Sequence, residues 1–164
     1  FGLKTGDHVA DFGAGHGYFT IPIAKIVGGD GKVYAIDIQK SVLDVIRSSA
    51  RLEHVLNIET VWSDLDQAGG SRLKDGYIDV VLIASILFQA EEKQNIIREA
   101  ARVLRQGGKL IVIEWVLEVN RSFGPPAGSR ITKEEIKHWA TLAGLAFDHE
   151  FDTGAYHYGL IFRK

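Results

Sequence analysis

The sequence predicts an α/β domain in which a mostly parallel β-sheet lies between two layers of helices. Short apolar runs alternate with stretches of helical period, the order expected of a parallel sheet covered on both faces. One run, Val80-Val81-Leu82-Ile83, is apolar without interruption, as a central strand buried on both sides requires. The first run feeds a glycine-rich turn that opens directly into a helix. At 164 residues the chain has the size of one domain, and no repeat, low-complexity tract or linker divides it, so residues 1–164 read as a single unit.

Taken in order, His8 to Phe12 is the first strand and about Tyr18 to Val27 the first helix, with Pro22 in the opening turn where its missing N–H costs little. Lys32 to Asp37 is the second strand. A helix then opens at Ser41, with Asp44 three residues on in a capping-box-like arrangement. Ile58 to Trp62 and Ile78 to Ala84 are the third and fourth strands. Ile96, Ala100, Val103 and Leu104 share one helical face, and Gly107 and Gly108 suit a left-handed helix end before a fifth strand, Lys109 to Trp115. Gly124, Pro125, Pro126 and Gly128 mark a surface loop or lid. Thr132 and Glu135 form a capping box ahead of an apolar stripe at Ile136, Trp139, Ala140 and Ala143. Two closing strands, Ala146 to Phe151 and Tyr156 to Arg163, are too close for a parallel crossover and pair as an antiparallel hairpin.

Composition narrows the function classes. Hydrophobic residues at 46% and charged residues at 24% argue against disorder. A net charge of −2 with Lys and Arg dispersed offers no phosphate-neutralising block, so nucleic acid is not an expected partner. The absence of Cys removes disulfides, thiolate nucleophiles and thiolate metal sites, which suits a cytoplasmic setting. No apolar run reaches the ~18 residues of a membrane-spanning helix. The six His form no H-E-x-x-H helix and no cluster with carboxylates, so no metal is expected. A chain without Met that opens at Phe1 reads as an excerpt or processed product.

The glycine turn carries the first functional signal. Asp11-Phe12-Gly13-Ala14-Gly15-His16-Gly17 follows the first strand, and its third glycine stands at 17, not at 18, where Tyr18 lies. A dinucleotide fold wants G-x-G-x-x-G; this is G-x-G-x-G behind an acid. The pattern resembles motif I of the class I S-adenosylmethionine-dependent methyltransferases. The likeness continues through Asp37 at the end of the second strand, Trp62-Ser63-Asp64-Leu65 after the third and Asp79-Val80-Val81-Leu82-Ile83-Ala84 in the fourth. Arg102 to Leu110 is similar to the family's helix-to-fifth-strand passage, and the closing hairpin fits its reversed seventh strand. Gly124-Pro125-Pro126 followed by Arg130-Ile131 is most like the small-molecule methyltransferases of the quinone-biosynthesis type.

The resemblance implies a Rossmann-like three-layer sandwich with a seven-stranded sheet of order 3-2-1-4-5-7-6, the last strand antiparallel. It also implies S-adenosylmethionine as cofactor, bound by Asp11, Gly13, Ala14, Gly15, Gly17, Asp37, Ile38, Asp64, Leu65 and Ala84. In that scheme Asp11 organises the loop from beneath and contacts the methionyl end, partly through water, and Asp37 accepts the ribose hydroxyls. Ile38 packs on adenine, Asp64 accepts from its amino group and the Leu65 amide donates to its ring. The Ala84 carbonyl receives the methionyl ammonium. The family's N-terminal helices have no counterpart ahead of the first strand, which implies a more open acceptor side. Glu114, His16 and His157 are candidates for the substrate pocket; Glu114 reads equally as a structural carboxylate partnered by Arg130 or another base, and each His as a surface or packed residue.

The implied reaction is in-line transfer of a methyl group to a small-molecule acceptor, apolar or aromatic. Such a reaction asks the protein mainly for alignment and water exclusion, so no dedicated base is assigned. Ala84-Ser85-Ile86-Leu87 lacks the Asn/Asp-Pro-Pro-aromatic run of amino-group methyltransferases acting on bases or glutamine. A non-catalytic cofactor-binding regulatory domain and an RNA or protein methyltransferase remain open. A nicotinamide-dependent oxidoreductase is disfavoured by Tyr18.

Overall fold

The computed structural model describes residues 1–117 and 124–164. Among these, β1 (His8–Phe12), β2 (Lys32–Asp37), β3 (Ile58–Trp62), β4 (Ile78–Ala84), β5 (Leu104–Trp115), β6 (Ala146–Phe151) and β7 (His157–Arg163) form one sheet of order β3-β2-β1-β4-β5-β7-β6. The first five strands are parallel, and β7 runs antiparallel to both β5 and β6. This is the strand order and orientation that the family resemblance implies. Residues 118–123 of the loop after β5 lie outside the described residues.

Alternation along the strands divides the core into two halves. Val80 and Leu82 of β4 face one side with Val9, Val33, Ile111 and Ile161, where α1 (Thr20–Val27) covers them with Ile23, Ala24 and Val27. Farther along the same layer, α2 (Lys40–Leu52) packs Leu43 and Ile46 beside Ala35. Val81 and Ile83 face the other side with Phe12, Ile36, Leu110, Val112 and Phe162, beneath α3 (Lys93–Val103) and α4 (Lys133–Leu142). Each fully buried Leu, Ile or Phe contributes about 1.5–3 kcal/mol relative to exposure. No described helix is long and apolar enough to cross a membrane.

Several local expectations change. α1 opens at Thr20 because Tyr18 and Phe19 complete the preceding turn, with the Ile21 amide donating to the Gly17 carbonyl at 3.1 Å. α2 opens at Lys40, not Ser41, and has no side-chain cap; its entrance is held by Asp37, which accepts from the Gln39 amide at 2.8 Å, while Asp44 pairs with Arg47. α3 ends at Val103, and Leu104 pairs at once with Ile78. Gly107 and Gly108 therefore lie within β5 and cap nothing. A Cβ on Gly108 would stand 2.9 Å from the Arg105 carbonyl and 3.1 Å from that of Asp79, so glycine there permits close backbone approach. The Lys164 ammonium instead satisfies the helix end, donating to the carbonyls of Ala101 and Leu104 at 2.6 Å each. β7 begins at His157. The capping box of α4 forms as expected: the Glu135 amide donates to Thr132 Oγ1 at 3.1 Å, and the Thr132 amide to Glu135 Oε2 at 2.9 Å.

The connection from β3 to β4 contains no regular helix, yet it carries Asp64 and Leu65. Buried Glu99 on α3 fixes it, accepting from the Ser71 amide at 2.9 Å and from Arg102 Nε at 2.9 Å. Arg102 also pairs with Asp75 and donates to the Leu73 carbonyl at 2.9 Å. Side-chain bonds here replace the helical ladder.

Leu82, fully buried in the central strand, should be among the costliest positions to truncate. Leu82→Ala is expected to lower unfolding free energy by about 2–5 kcal/mol. Urea denaturation measures this, and a loss below about 1 kcal/mol would show that the neighbouring side chains close the void.

Candidate cofactor site

The sheet order reverses between β1 and β4, so the chains leaving these strands turn away from each other. A crevice opens at their carboxyl ends, the position where open α/β sheets bind ligands. A cavity of about 630 Å³ occupies it. Its walls come from the glycine loop after β1, the ends of β2 and β3, and the segment following β4.

Gly13 and Ala14 both donate to the Ile36 carbonyl, at 2.8 and 3.0 Å, which draws the glycine loop over β2. Two glycines are required for different reasons. Gly13 has φ 74°, and a Cβ on it would lie 2.3 Å from Ile86 Cγ2; Gly17 has φ 84°, and its Cβ would lie 2.9 Å from Ile46 Cγ1. Gly17 thus serves the packing of the loop on α2, and it does not line the cavity. Gly15 does line it, and its amide donates to Asp37 Oδ2 at 2.9 Å.

Asp37 therefore holds two backbone amides, Gly15 on one oxygen and Gln39 on the other. A carboxylate has about four acceptor positions, so capacity remains for the two hydroxyls of a ribose. Ile38 follows with 60% of its surface exposed, an unusual apolar side chain on a cavity wall. Its carbonyl accepts from Trp62 Nε1 at 2.8 Å, and the Lys40 ammonium lies 3.8 Å from the Trp62 ring centre. Trp62 and Lys40 thus brace the turn from outside. On β3's side, the Ser63 amide donates to the Asp37 carbonyl at 3.1 Å, and Asp64 Oδ1 accepts from the Asp66 amide at 3.0 Å.

Asp11 lies at the floor with 2% exposure and accepts from the Thr20 hydroxyl at 2.6 Å. Burial pushes its pKa up to about 6, opposed by the Thr20 bond and assisted by the nearby Asp37 charge.

Of the residues singled out from the sequence, Asp11, Gly13, Ala14, Gly15, Asp37, Ile38, Asp64, Leu65, Ala84 and His16 line this one cavity. Three do not. Gly17 packs inward, as above. Glu114 is buried to 1% exposure beneath the segment after β4, where Oε1 accepts from the Leu87 amide at 2.8 Å. Arg130 directs Nε to the Pro125 carbonyl and Nη1 to that of Val116, at 3.0 and 2.8 Å, so the described contacts give no Glu114–Arg130 pair. His157 packs its ring 4.2 Å from that of Trp115, and burial lowers its pKa.

The sequence reading missed Asp66, Ser85, Ile86, Gln89 and Ala90, which also line the cavity. Ser85 is the instructive case. It takes φ 54°, but serine carries no sequence signal for left-handed backbone of the kind glycine does. Among the described lining residues there are four aspartates and no Lys or Arg. That chemistry suits a cationic ligand with hydroxyl and amino donors, and S-adenosylmethionine, with its sulfonium, ammonium and adenosine, fits it. No group of three His, Asp or Glu among the described residues is arranged to hold a metal ion.

The Asp11 shift has a defined sign. Below about pH 4 the group is protonated whether folded or unfolded; between 3.8 and about 6 the unfolded chain ionises first, so stability is lost across that window and is level above it. Asp11→Asn should therefore gain in melting temperature relative to the parent on going from about pH 4 to about pH 7. Thermal scans at both pH values test this, and parallel curves for the two proteins would show that Asp11 titrates normally.

Comparison with known proteins agrees with this geometry. A family model described as a methyltransferase domain matches residues 3–159. A ubiquinone/menaquinone biosynthesis C-methyltransferase, UbiE, of Vibrio campbellii is 33% identical over 115 residues, covering 70% of this chain and 43% of that protein's length. The UbiE of Pseudomonas putida is 30% identical over 180 residues, covering 95% of this chain and 69% of its own. Among solved structures, a SAM-dependent methyltransferase from Aquifex aeolicus superposes with a TM-score of 0.87 at 28% identity, over 98% of this chain and 84% of that one. With the acidic crevice, the strand order and the motif I loop all in agreement, the chain belongs to the class I S-adenosylmethionine-dependent methyltransferase family.

Proposed function

We propose that this chain transfers a methyl group from S-adenosylmethionine to a small-molecule acceptor, with the electron-rich carbon of an aromatic ring as the preferred nucleophile. The observation that carries the reading is the cavity itself, which the described residues line with four aspartates and no Lys or Arg at the carboxyl ends of β1 to β4. The names of the UbiE relatives, C-methyltransferases of quinone biosynthesis, support the acceptor class.

When bound, S-adenosylmethionine supplies an electrophilic methyl on a sulfonium sulfur. The protein's part is binding and orientation. Asp37 accepts the ribose hydroxyls while its two amide bonds hold the glycine loop and the mouth of α2 in register. Ile38 provides apolar surface for the adenine, the Leu65 amide donates to its ring and Asp64 accepts from its amino group. The Ala84 carbonyl receives the methionyl ammonium, and Asp11 supports the loop from below. Gly13, Ala14 and Gly15 give close backbone approach, with Gly17 supporting the loop from behind. His16, exposed at the lip of the cavity, is placed to border the acceptor. A carbon nucleophile on an activated ring needs alignment and exclusion of water more than a strong base.

Calorimetry should show micromolar binding of S-adenosylhomocysteine and none of NAD; tight NAD binding with no response to S-adenosylhomocysteine would reject the reading. Asp37→Ala should weaken binding at least ~10-fold, since a charge-assisted bond contributes about 1.5–3 kcal/mol and one decade is about 1.4. For the acceptor, methyl-labelled cofactor incubated with fractionated cell extract should label small aromatic metabolites. Label appearing only in RNA or protein would sink the small-molecule assignment.

A further inference from the structure

Outside the cavity wall, a second set of contacts controls its shape. After β4 the chain turns through Ser85 in the left-handed region that residues with a side chain avoid, a conformation that persists only where surrounding contacts enforce it. Two bonds from consecutive residues of β5 do so. The Ser85 amide donates to the Ile113 carbonyl at 2.8 Å, and the Leu87 amide donates to Glu114 Oε1 at 2.8 Å. Between them, Ile86 places its side chain in the space that a Cβ on Gly13 would fill. Glu114 thus reaches the glycine loop through Leu87 and Ile86 without lining the cavity.

The Leu87 amide is the strongest of the groups that favour the ionised Glu114 carboxyl, ahead of the Trp115 and Ile86 amides and the Lys93 charge. Oε2 is buried without a hydrogen-bond partner among the described residues. Tyr158, its cross-strand neighbour, gives its hydroxyl to the Ile131 carbonyl at 2.7 Å, and the Lys93 ammonium goes to the Ala90 carbonyl at 2.6 Å. Burying a carboxyl is unfavourable in itself, and its bond to the Leu87 amide is the largest single offset to that cost. Burial also pushes its pKa up to about 7, against the pull of the Leu87, Trp115 and Ile86 amides and the Lys93 charge, so near neutral pH a large share of it is a neutral acid. A neutral side chain of the same shape can then do the same work.

We propose that Glu114 is a positioning residue for the cofactor: by holding the Leu87 amide it keeps the left-handed turn at Ser85 in place and Ile86 seated against Gly13, in the shape that receives S-adenosylmethionine. The proposal rests on the cofactor reading above and adds a residue that touches no ligand.

The test is S-adenosylhomocysteine affinity by calorimetry, with thermal stability measured alongside. Glu114→Met, matched in length but without an acceptor, should bind about tenfold more weakly while still folded, because it orphans a buried amide. Glu114→Gln, which keeps an oxygen facing Leu87, should recover affinity to within about threefold of the parent. Ser85→Gly removes the strain that needs holding, so adding it to Glu114→Met should restore most of the loss. Purely additive effects, or unchanged affinity in a folded Glu114→Met, overturn the proposal. Should that variant not fold, hydrogen exchange on the parent decides: the Leu87 amide should be protected in the free protein and more so with S-adenosylhomocysteine, and rapid exchange in both states overturns it. A parent protein that binds no S-adenosylhomocysteine overturns the cofactor reading itself, and it does so before any variant is compared.

Discussion

The pairing of β1 with β4 is the constraint from which the rest follows. The two strands lie side by side from Val9–Val80 to Phe12–Ile83, at the point where strand order reverses. Both are buried on their two faces, so a shift of register would drive their Val, Leu, Ile and Phe side chains into the packing of the opposite layer. Because the following segments must leave toward opposite edges of the sheet, a crevice at this seam is a consequence of topology. Every ligand-facing group then depends on how the departing segments are tied down.

Those ties are hydrogen bonds to a few carboxylates. Asp37 unites the glycine loop and the mouth of α2 through the amides of Gly15 and Gln39. Asp11 restrains the start of α1 through Thr20. Glu99 fixes the non-helical connection that carries Asp64, and Glu114 holds the segment after β4. These acids have two physical effects. Asp37, Glu99 and Glu114 accept from amides that no strand ladder satisfies, and the aspartates lining the crevice give it a negative field suited to a sulfonium and an ammonium.

Burial separates these acids by role. Asp37 is partly exposed and keeps acceptor capacity toward the cavity, whereas Asp11 and Glu114 are withdrawn from water and have raised pKa values. The first can bind; the other two shape what binds. Among the described residues three non-glycines take positive φ, His54, Arg72 and Ser85, and Ser85 is the one that lines the cavity, close to Gly13, whose missing Cβ leaves room that Ile86 occupies. A rigid two-sided core supports the strain at Ser85 because its packing leaves the turn no compact alternative.

Much of this was legible in the amino-acid order. Alternating apolar runs and helical stripes specify strands and helices through the periods of 2 and 3.6, and the unbroken run in β4 specifies a strand covered on both faces. Glycine at 17 with tyrosine at 18 separates the family from dinucleotide binders, because loop geometry depends on where a Cβ is forbidden. What the sequence left undecided were the features set by neighbours distant in the chain. Gly107 and Gly108 resemble a helix end, yet β5 begins at Leu104 because Ile78 offers it a pairing partner. Ser41 and Asp44 resemble a cap, yet Asp37 holds the mouth of α2. Glu114 resembles a pocket residue from its place at a strand end; only the path of residues 85–87 across it, 27 positions away for Leu87, turns it inward onto a backbone amide. Local periodicity is a property of neighbouring residues, whereas the direction of a strand-end side chain is decided by whichever segment the tertiary fold lays over it.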